Sequence, residues 1–275
     1  MEDFKDWIGR SVTREDSVSD RLLAEYHAAL GPWLFAGGGG APPGLHWGLA
    51  PATPSHSDTG HDGAEAKGLF LPPIPLPRRM WAGGRIETFA PIRPGARVTR
   101  VSTVSDVTHK QGSTGELWLV SVTHEISEAG RLLLRERQDL VFRAMGGVTP
   151  APERKPGALA GAKHVVEASP LLLFRFSAFT FNGHRIHYDL DHARREGYSG
   201  LLVHGPMQAA LMLNAVAERM AQVPERFDYR CLAPLMSGSG FGVACEEVDG
   251  AVITRIIRCD GVTTSEGRVH VPARG

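Results

Sequence analysis

Phe176-Ser-Ala-Phe-Thr-Phe-Asn-Gly-His-Arg-Ile-His-Tyr-Asp-Leu-Asp191, followed after a short charged interval by Gly197-Tyr-Ser-Gly-Leu-Leu-Val-His-Gly-Pro-Met207, is the densest gathering of reactive side chains in the chain. Asn182 and His187 stand five apart with Gly183 between them, so a tight turn can aim both side chains at one point. A histidine takes and returns a proton at neutral pH, while an amide orients water or imidazole without titrating. Downstream, Gly205-Pro206 falls where proline suits the first turn of an apolar helix. The backbone N–H groups there have no partner inside the helix, and the positive end of its dipole lies beside them. Gly205 N–H is therefore a candidate donor for a carbonyl oxygen that gains negative charge.

Outward from this segment, Met207, Ala210, Leu211, Asn214, Ala215 and Glu218 follow helical spacing, and strands are expected near 226–232, 238–248, 252–259 and 261–270. Toward the N-terminus, residues 171–177 begin the second half. The Pro-, Gly- and charge-rich stretch 146–161 reads as a linker. Before it, alternating apolar and β-branched residues predict strands over 85–89, 98–108, 117–127 and 131–142, the last two joined through Ser127-Glu-Ala-Gly130 as a hairpin. A helix is expected over 19–30, capped by Ser19 or Asp20, with Leu22, Leu23, Tyr26 and Leu30 on one face and Gly31-Pro32 as its stop. Residues 37–77 lack periodicity and exceed ordinary loop length, so they are either mobile or laid over a surface with a function. Each half thus reads as a helix followed by an antiparallel sheet, an α+β pattern repeated twice. The expected division is 1–145, a linker 146–163, and 164–275.

The 275 residues carry 30 Lys plus Arg against 30 Asp plus Glu, which excludes the global field that draws proteins to nucleic acid or anionic membrane. The acidic start, without an apolar core or an Arg- and Ser-rich character, and the lack of a membrane-length apolar run predict a cytoplasmic protein. Cys231, Cys245 and Cys259 are few, scattered and odd in number, and read as reduced, inert strand residues. His46, His56 and His61 do not match metal-site spacing, and no Gly-rich phosphate loop precedes a strand–helix unit.

The motif around His187 resembles the MaoC-like or hydratase-2 family, whose signature runs Asp, any residue, Asn, Pro, aliphatic, His, with a His-Gly pair some twenty residues on. Thr180-Phe-Asn-Gly-His-Arg-Ile-His-Tyr-Asp189, together with Phe70-Leu-Pro-Pro-Ile-Pro-Leu-Pro-Arg-Arg-Met-Trp-Ala-Gly-Gly84, is most similar to the branch of mesaconyl-C4-CoA hydratases, itaconyl-CoA hydratases and type 2 hydroxyacyl-thioester dehydratases. The resemblance implies a double hot-dog fold, in which a degenerate N-terminal half packs on a catalytic C-terminal half. It implies reversible syn addition of water to an enoyl-CoA, with a short branched dicarboxylic acyl group such as mesaconyl or itaconyl. The partner is then an acyl-CoA thioester, a homo-oligomer such as a dimer is compatible with it, and neither metal nor redox cofactor is required. His187 falls on the family's catalytic histidine and Gly205 on its oxyanion glycine. Asn182 stands where the family has aspartate, and since an amide cannot act as a base the acidic partner is left open.

Plainer readings stand beside these. His187 can be a core histidine satisfied by a carbonyl; His184 either lines a substrate pocket or faces solvent, and Tyr188 is a candidate substrate-binding residue; His204 either contributes to the site or only braces the turn before the helix. Asp189 and Asp191 could supply the missing carboxylate, but the following His-Ala-Arg-Arg-Glu favours helix-start roles. Arg78, Arg79 and Arg85 flank Met80-Trp81, a combination suited to phosphates or a terminal carboxylate with the indole as a wall, or equally a solvated loop before a strand. Three other functions stay open: a hot-dog acyl-CoA thioesterase, a 3-hydroxyacyl-carrier-protein dehydratase, and a non-catalytic thioester-binding protein.

Overall fold

The computed structural model describes residues 3–112 and 115–270; the outermost ends of both expected domains, 1–2 and 271–275, lie outside the described residues. In chain order the elements are β1 (Ser11–Ser17), α1 (Asp20–Leu30), β2 (Arg78–Thr88), β3 (Arg97–Gly112), β4 (Gly115–Glu128), β5 (Arg131–Arg143), β6 (His164–Glu167), α2 (Pro170–Phe179), α3 (Leu190–Arg195), α4 (Gly205–Met220), β7 (Arg226–Cys231), β8 (Gly240–Val248), β9 (Ala251–Arg258) and β10 (Thr263–His270). All ten strands join one antiparallel sheet in the order β1-β3-β4-β5-β2-β7-β10-β9-β8-β6. The two halves meet at β2 and β7, where Gly83 pairs with Arg230 and Glu87 with Arg226.

The C-terminal half wraps its strands around α4. The residues from Pro206 to Ala217 are all buried, so this helix is covered all round rather than along one stripe. Its two central polar side chains are satisfied within the protein. Gln208 Oε1 accepts from Thr264 Oγ1 at 3.0 Å and Ser265 Oγ at 2.8 Å. Asn214 donates to Pro43 O and Ala210 O and accepts from Phe35 N–H at 2.8 Å. In the N-terminal half α1 begins at Ser19, whose hydroxyl accepts from Leu22 N–H, and turns Leu22, Tyr26 and Leu30 inward as the spacing predicts. Those residues share one core with Ile86, Val98, Ile126 and Leu134 of the sheet and with α4.

Four expectations are corrected or refined. Residues 37–77 are laid down rather than loose: Leu45, His46, Trp47 and Leu49 are buried, and Tyr26 OH and Asn214 Nδ2 both donate to Pro43 O. Gly44 makes that approach possible, since at φ +95° a Cβ would lie 2.4 Å from Tyr26 OH. Strand β2 begins at Arg78, seven residues before the expected 85, so Arg78 to Trp81 are strand residues and not a solvated loop. Residues 171–177 lie in helix α2, capped by Ser169 with Pro170 in its first turn. Strands β1 and β6 are additional edge strands. Among the described residues no helix is long and apolar enough to cross a membrane.

Candidate active site

Helix α2 ends in a turn that sets up the motif. Asn182 N–H reaches back to Ser177 O and Phe181 N–H to Ala178 O, with Phe181 at φ 49°, a position where glycine is usual. Placing a phenylalanine there costs about 1 kcal/mol, a strain of the kind found near functional sites. Asn182 Oδ1 then accepts from His184 N–H at 3.0 Å, an Asx turn that leads into the short 3-10 turn Arg185–His187. The loop over residues 60–65 clamps the turn from outside. Arg185 N–H donates to Asp62 O, and a Cβ on Gly183 would lie 2.4 Å from Gly63 O.

His187 is buried, with Nδ1 donating to Leu202 O at 2.8 Å. That bond fixes the neutral tautomer and leaves Nε2, the basic nitrogen, for the cleft. Burial pushes its pKa down to about 4, only partly offset by the Leu202 carbonyl. The ring lies flat on His204, centroids 3.6 Å apart and planes 19° apart, and edge-on to His184 at 5.7 Å. His204 is itself held by Ser177 Oγ at 2.8 Å, so the base rests on an anchored ring. Burial also keeps His184 and His204 well below the ordinary imidazole range.

Gly205 opens the 16-residue α4 beside this base. A Cβ there would lie 2.9 Å from Trp81 Cβ and Cγ, so the indole of β2 is seated directly against the glycine. Trp81 Nε1 donates to Tyr229 OH at 3.1 Å, and Tyr229 and Trp47 both donate to the fully buried Glu136. His46 lies 3.6 Å from the other oxygen of that carboxylate. Although burial opposes it, His46 and the nearby charges hold Glu136 down at about 2. The glycine wall is thus braced by a polar network in which Tyr229 of β7 joins Trp81 to Glu136, Trp47 and His46 of the N-terminal half, and no motif in the sequence announces it.

Asn182, His187, Gly205, Arg78, Arg79, Trp81, His184 and Tyr188 all line one cleft of about 1180 Å³ between the halves. Their environments differ. Arg79 is paired with Asp62 at 3.0 Å, so its charge is already met, and Tyr188 OH donates to Gly183 O, bracing the turn. Arg78 is buried with its guanidinium 4.6 Å over the Tyr198 ring and its Nε unpartnered. Arg85 pairs with Asp228. Asp189 accepts from His192 N–H at the start of α3 and pairs with Arg185, while Asp191 is exposed; neither lines the cleft. Among the described residues Glu65 is the one carboxylate on the cleft wall, and it lies 3.8 Å from Arg14. None of the three cysteines is disulfide-bonded, and burial pushes the Cys231 thiol up to about 11. Among the described residues no group of His, Cys, Asp and Glu side chains is arranged to hold a metal ion.

The chemistry available is proton transfer by one neutral imidazole, next to a helix N-terminal N–H that can hold an oxyanion, with an amide at hand to orient water. A family model of hydroxyacyl-thioester dehydratase type 2 matches residues 44–237. The chain is 37% identical over 274 residues to mesaconyl-C(4)-CoA hydratase of Chloroflexus aurantiacus, covering 98% of each protein. Among solved structures it is similar to HtdX of Mycobacterium tuberculosis, with a TM-score of 0.69 and 18% identity over 95% of this chain and 100% of that one. It is also similar to a conserved hypothetical protein of the same organism described as having a double hotdog fold, with a TM-score of 0.56 and 14% identity over 95% and 94%. These structural likenesses show the fold to be a double hot-dog.

Proposed function

The chain belongs to the hydroxyacyl-thioester dehydratase type 2 family, and from that premise we propose that it is a hydro-lyase adding water reversibly to the α,β double bond of an enoyl-CoA. The observation that carries the proposal is His187, pinned through Nδ1 to Leu202 O, with Nε2 making no hydrogen bond among the described residues and the ring lining the same cleft as Gly205 at the start of α4. In this reading Gly205 N–H polarises the thioester oxygen. His187 Nε2 takes a proton from water oriented by the Asn182 amide as the water oxygen bonds to the β-carbon. The electron pair of the double bond moves onto the carbonyl oxygen as an enolate. His187 then returns the proton to the α-carbon on the same face, restoring the thioester. One titrating group completes the cycle, and its low proton affinity favours the second transfer. The acid that the family signature places at position 182 is then dispensable.

The relative's name supports a short branched dicarboxylic acyl group such as mesaconyl. We further assign residues 1–145 and 164–275 to the two hot-dog units and 146–163 to their connection, with the proton-transfer groups drawn from the second. A thioesterase needs a carboxylate placed at the carbonyl carbon. Glu65, the one cleft-lining carboxylate among the described residues, faces Arg14 instead. Incubation with mesaconyl-C4-CoA and with crotonyl-CoA separates the alternatives. Loss of enoyl absorbance without thiol release supports the proposal, while thiol release with conjugation retained identifies a thioesterase. Turnover confined to carrier-protein thioesters identifies a carrier-protein dehydratase, and tight binding without turnover a thioester-binding protein.

A further inference from the structure

The cleft does not end at His187. Its wall continues onto the inner face of the N-terminal sheet, where Arg100, Ser102, His124 and Gln138 line it. A hot-dog sheet ordinarily turns apolar side chains inward, and this one does so at Val98, Val104, Val120, Val122 and Ile126. The polar residues interrupt that pattern in register: Ser102 pairs with His124, and Val122 with Gln138. His124 joins them, with Nδ1 2.8 Å from Ser102 Oγ and Nε2 2.9 Å from Gln138 Oε1. Gln138 Oε1 can only accept, so His124 Nε2 carries the proton and Nδ1 accepts from the Ser102 hydroxyl. Burial, with Arg100 nearby, pushes this imidazole down to about 3 and keeps it neutral. The amide hydrogens of Gln138 are left for the cleft.

Arg100 is the anomaly. Its Nη1 donates to Leu49 O at 3.0 Å, while its Nε is sealed from solvent without a partner. Among the described residues it has no carboxylate within ion-pair distance. Glu136 acts on it only through space, with its oxygens turned to Trp47, Tyr229 and His46, and burial of the guanidinium outweighs that attraction; Glu65 lies against Arg14. A guanidinium taken out of water with no carboxylate in contact is costly. The cost is recovered when an anion arrives that fits its planar fork.

The geometry points to a carboxylate subsite formed by Arg100 and Gln138, braced by His124 and Ser102, which reads the free carboxyl group at the far end of a short dicarboxylic acyl-CoA. The inference rests on the acyl-CoA reading above and gives that reading its substrate class. A planar monoanion suits one unpaired guanidinium beside an amide better than a doubly charged phosphate does.

Binding tests it independently of turnover. Succinyl-CoA and butyryl-CoA have similar length and differ in the terminal carboxylate, and neither has a double bond to hydrate. Calorimetry on the wild-type protein should find succinyl-CoA tighter by roughly 10- to 100-fold, the range of one charge-assisted contact. Arg100→Met should abolish that preference and leave butyryl-CoA affinity within about threefold, as expected when a single charged contact is lost. Equal wild-type affinities overturn the subsite, and this comparison needs no variant to fold. A preference that survives Arg100→Met and disappears in Arg78→Met also overturns it, by moving the contact to the other end of the cleft. Turnover of crotonyl-CoA by the wild type tests the hydratase reading separately, so either inference can fail alone.

Discussion

Replacing Gly205 with alanine puts a single methyl group where Trp81 already sits. The new Cβ would stand 2.9 Å from both Trp81 Cβ and Cγ and 3.1 Å from Cδ1. Carbon atoms in contact prefer roughly 3.5–4.0 Å, so the helix start and the indole must separate by about 0.6–1 Å, the difference between those distances. The contact is with the root of the side chain, and the far end of the indole is tied to Tyr229 OH, so a rotamer change cannot relieve it. Overpacking of this kind costs about 1–3 kcal/mol of stability, or a fall of a few degrees in Tm for a chain of this size, by roughly 2–4 °C per kcal/mol. Activity should suffer more. An oxyanion donor displaced by about 1 Å loses on the order of 100-fold in kcat/KM, which the decay of enoyl absorbance reads directly. A cycle with Trp81→Ala should show coupling of at least about 1 kcal/mol in urea unfolding. If Gly205→Ala turns over within twofold of wild type and the two changes are additive in stability, the seating of Trp81 on Gly205 has no part in the reaction.

Acidification should destabilise the fold through His187. Its folded pKa of about 4 lies below the ordinary 6.5, so between those values the unfolded chain binds a proton that the native protein excludes. Stability therefore rises with pH across that window and is fully present above 6.5, with about 3 kcal/mol lost by the time pH has fallen well below 4. His124, held at about 3, acts in the same direction. Urea unfolding from pH 4.5 to 6.5 should show a slope that His187→Gln lowers by about 1.4 kcal/mol per pH unit at most; an unchanged slope would mean that His187 is not held neutral. Asn214→Leu should cost about 1–3 kcal/mol, because Phe35 N–H loses its partner inside the protein while Pro43 O keeps only Tyr26 OH. Chemical denaturation measures that loss, and a change below 0.5 kcal/mol, the level of ordinary surface substitutions, would show that the 34–45 segment is held by other means.

Local chemistry made much of this legible. Ser19 capping α1, Pro206 in the first turn of α4 and the hairpin at Ala129-Gly130 are decided within a few residues, and the structure keeps them. What the sequence left unread was decided at a distance. Asn214 reads only as one position in the helical spacing, yet it fastens a loop some 170 residues earlier in the chain. Arg78 and Arg79 read equally as anion-binding groups or as solvated loop cations, because their partners, Tyr198 and Asp62, come from separate segments. Residues 171–177 carried their cap and proline, Ser169-Pro170, but α2 is apolar on too many sides for periodicity to separate helix from strand. At the site, the spacing of Asn182, His187 and Gly205 forecast that they would share one cleft, as it did for Asp189 as a helix cap. The tautomer of His187 depends on a backbone carbonyl, Leu202 O, and backbone partners leave no trace in side-chain identity. Arg100, Ser102, His124 and Gln138 lie on three strands and converge only through sheet register.

His187→Gln compared with wild type on mesaconyl-C4-CoA tests the central claim most directly, with circular dichroism to verify the fold. Glutamine can retain a hydrogen bond to Leu202 O but cannot carry the proton. The account predicts wild-type loss of enoyl absorbance without thiol release and a fall of at least about 100-fold in kcat for the variant, the lower end for removing an acid–base group. Hydration at the wild-type rate by a folded His187→Gln protein would contradict it.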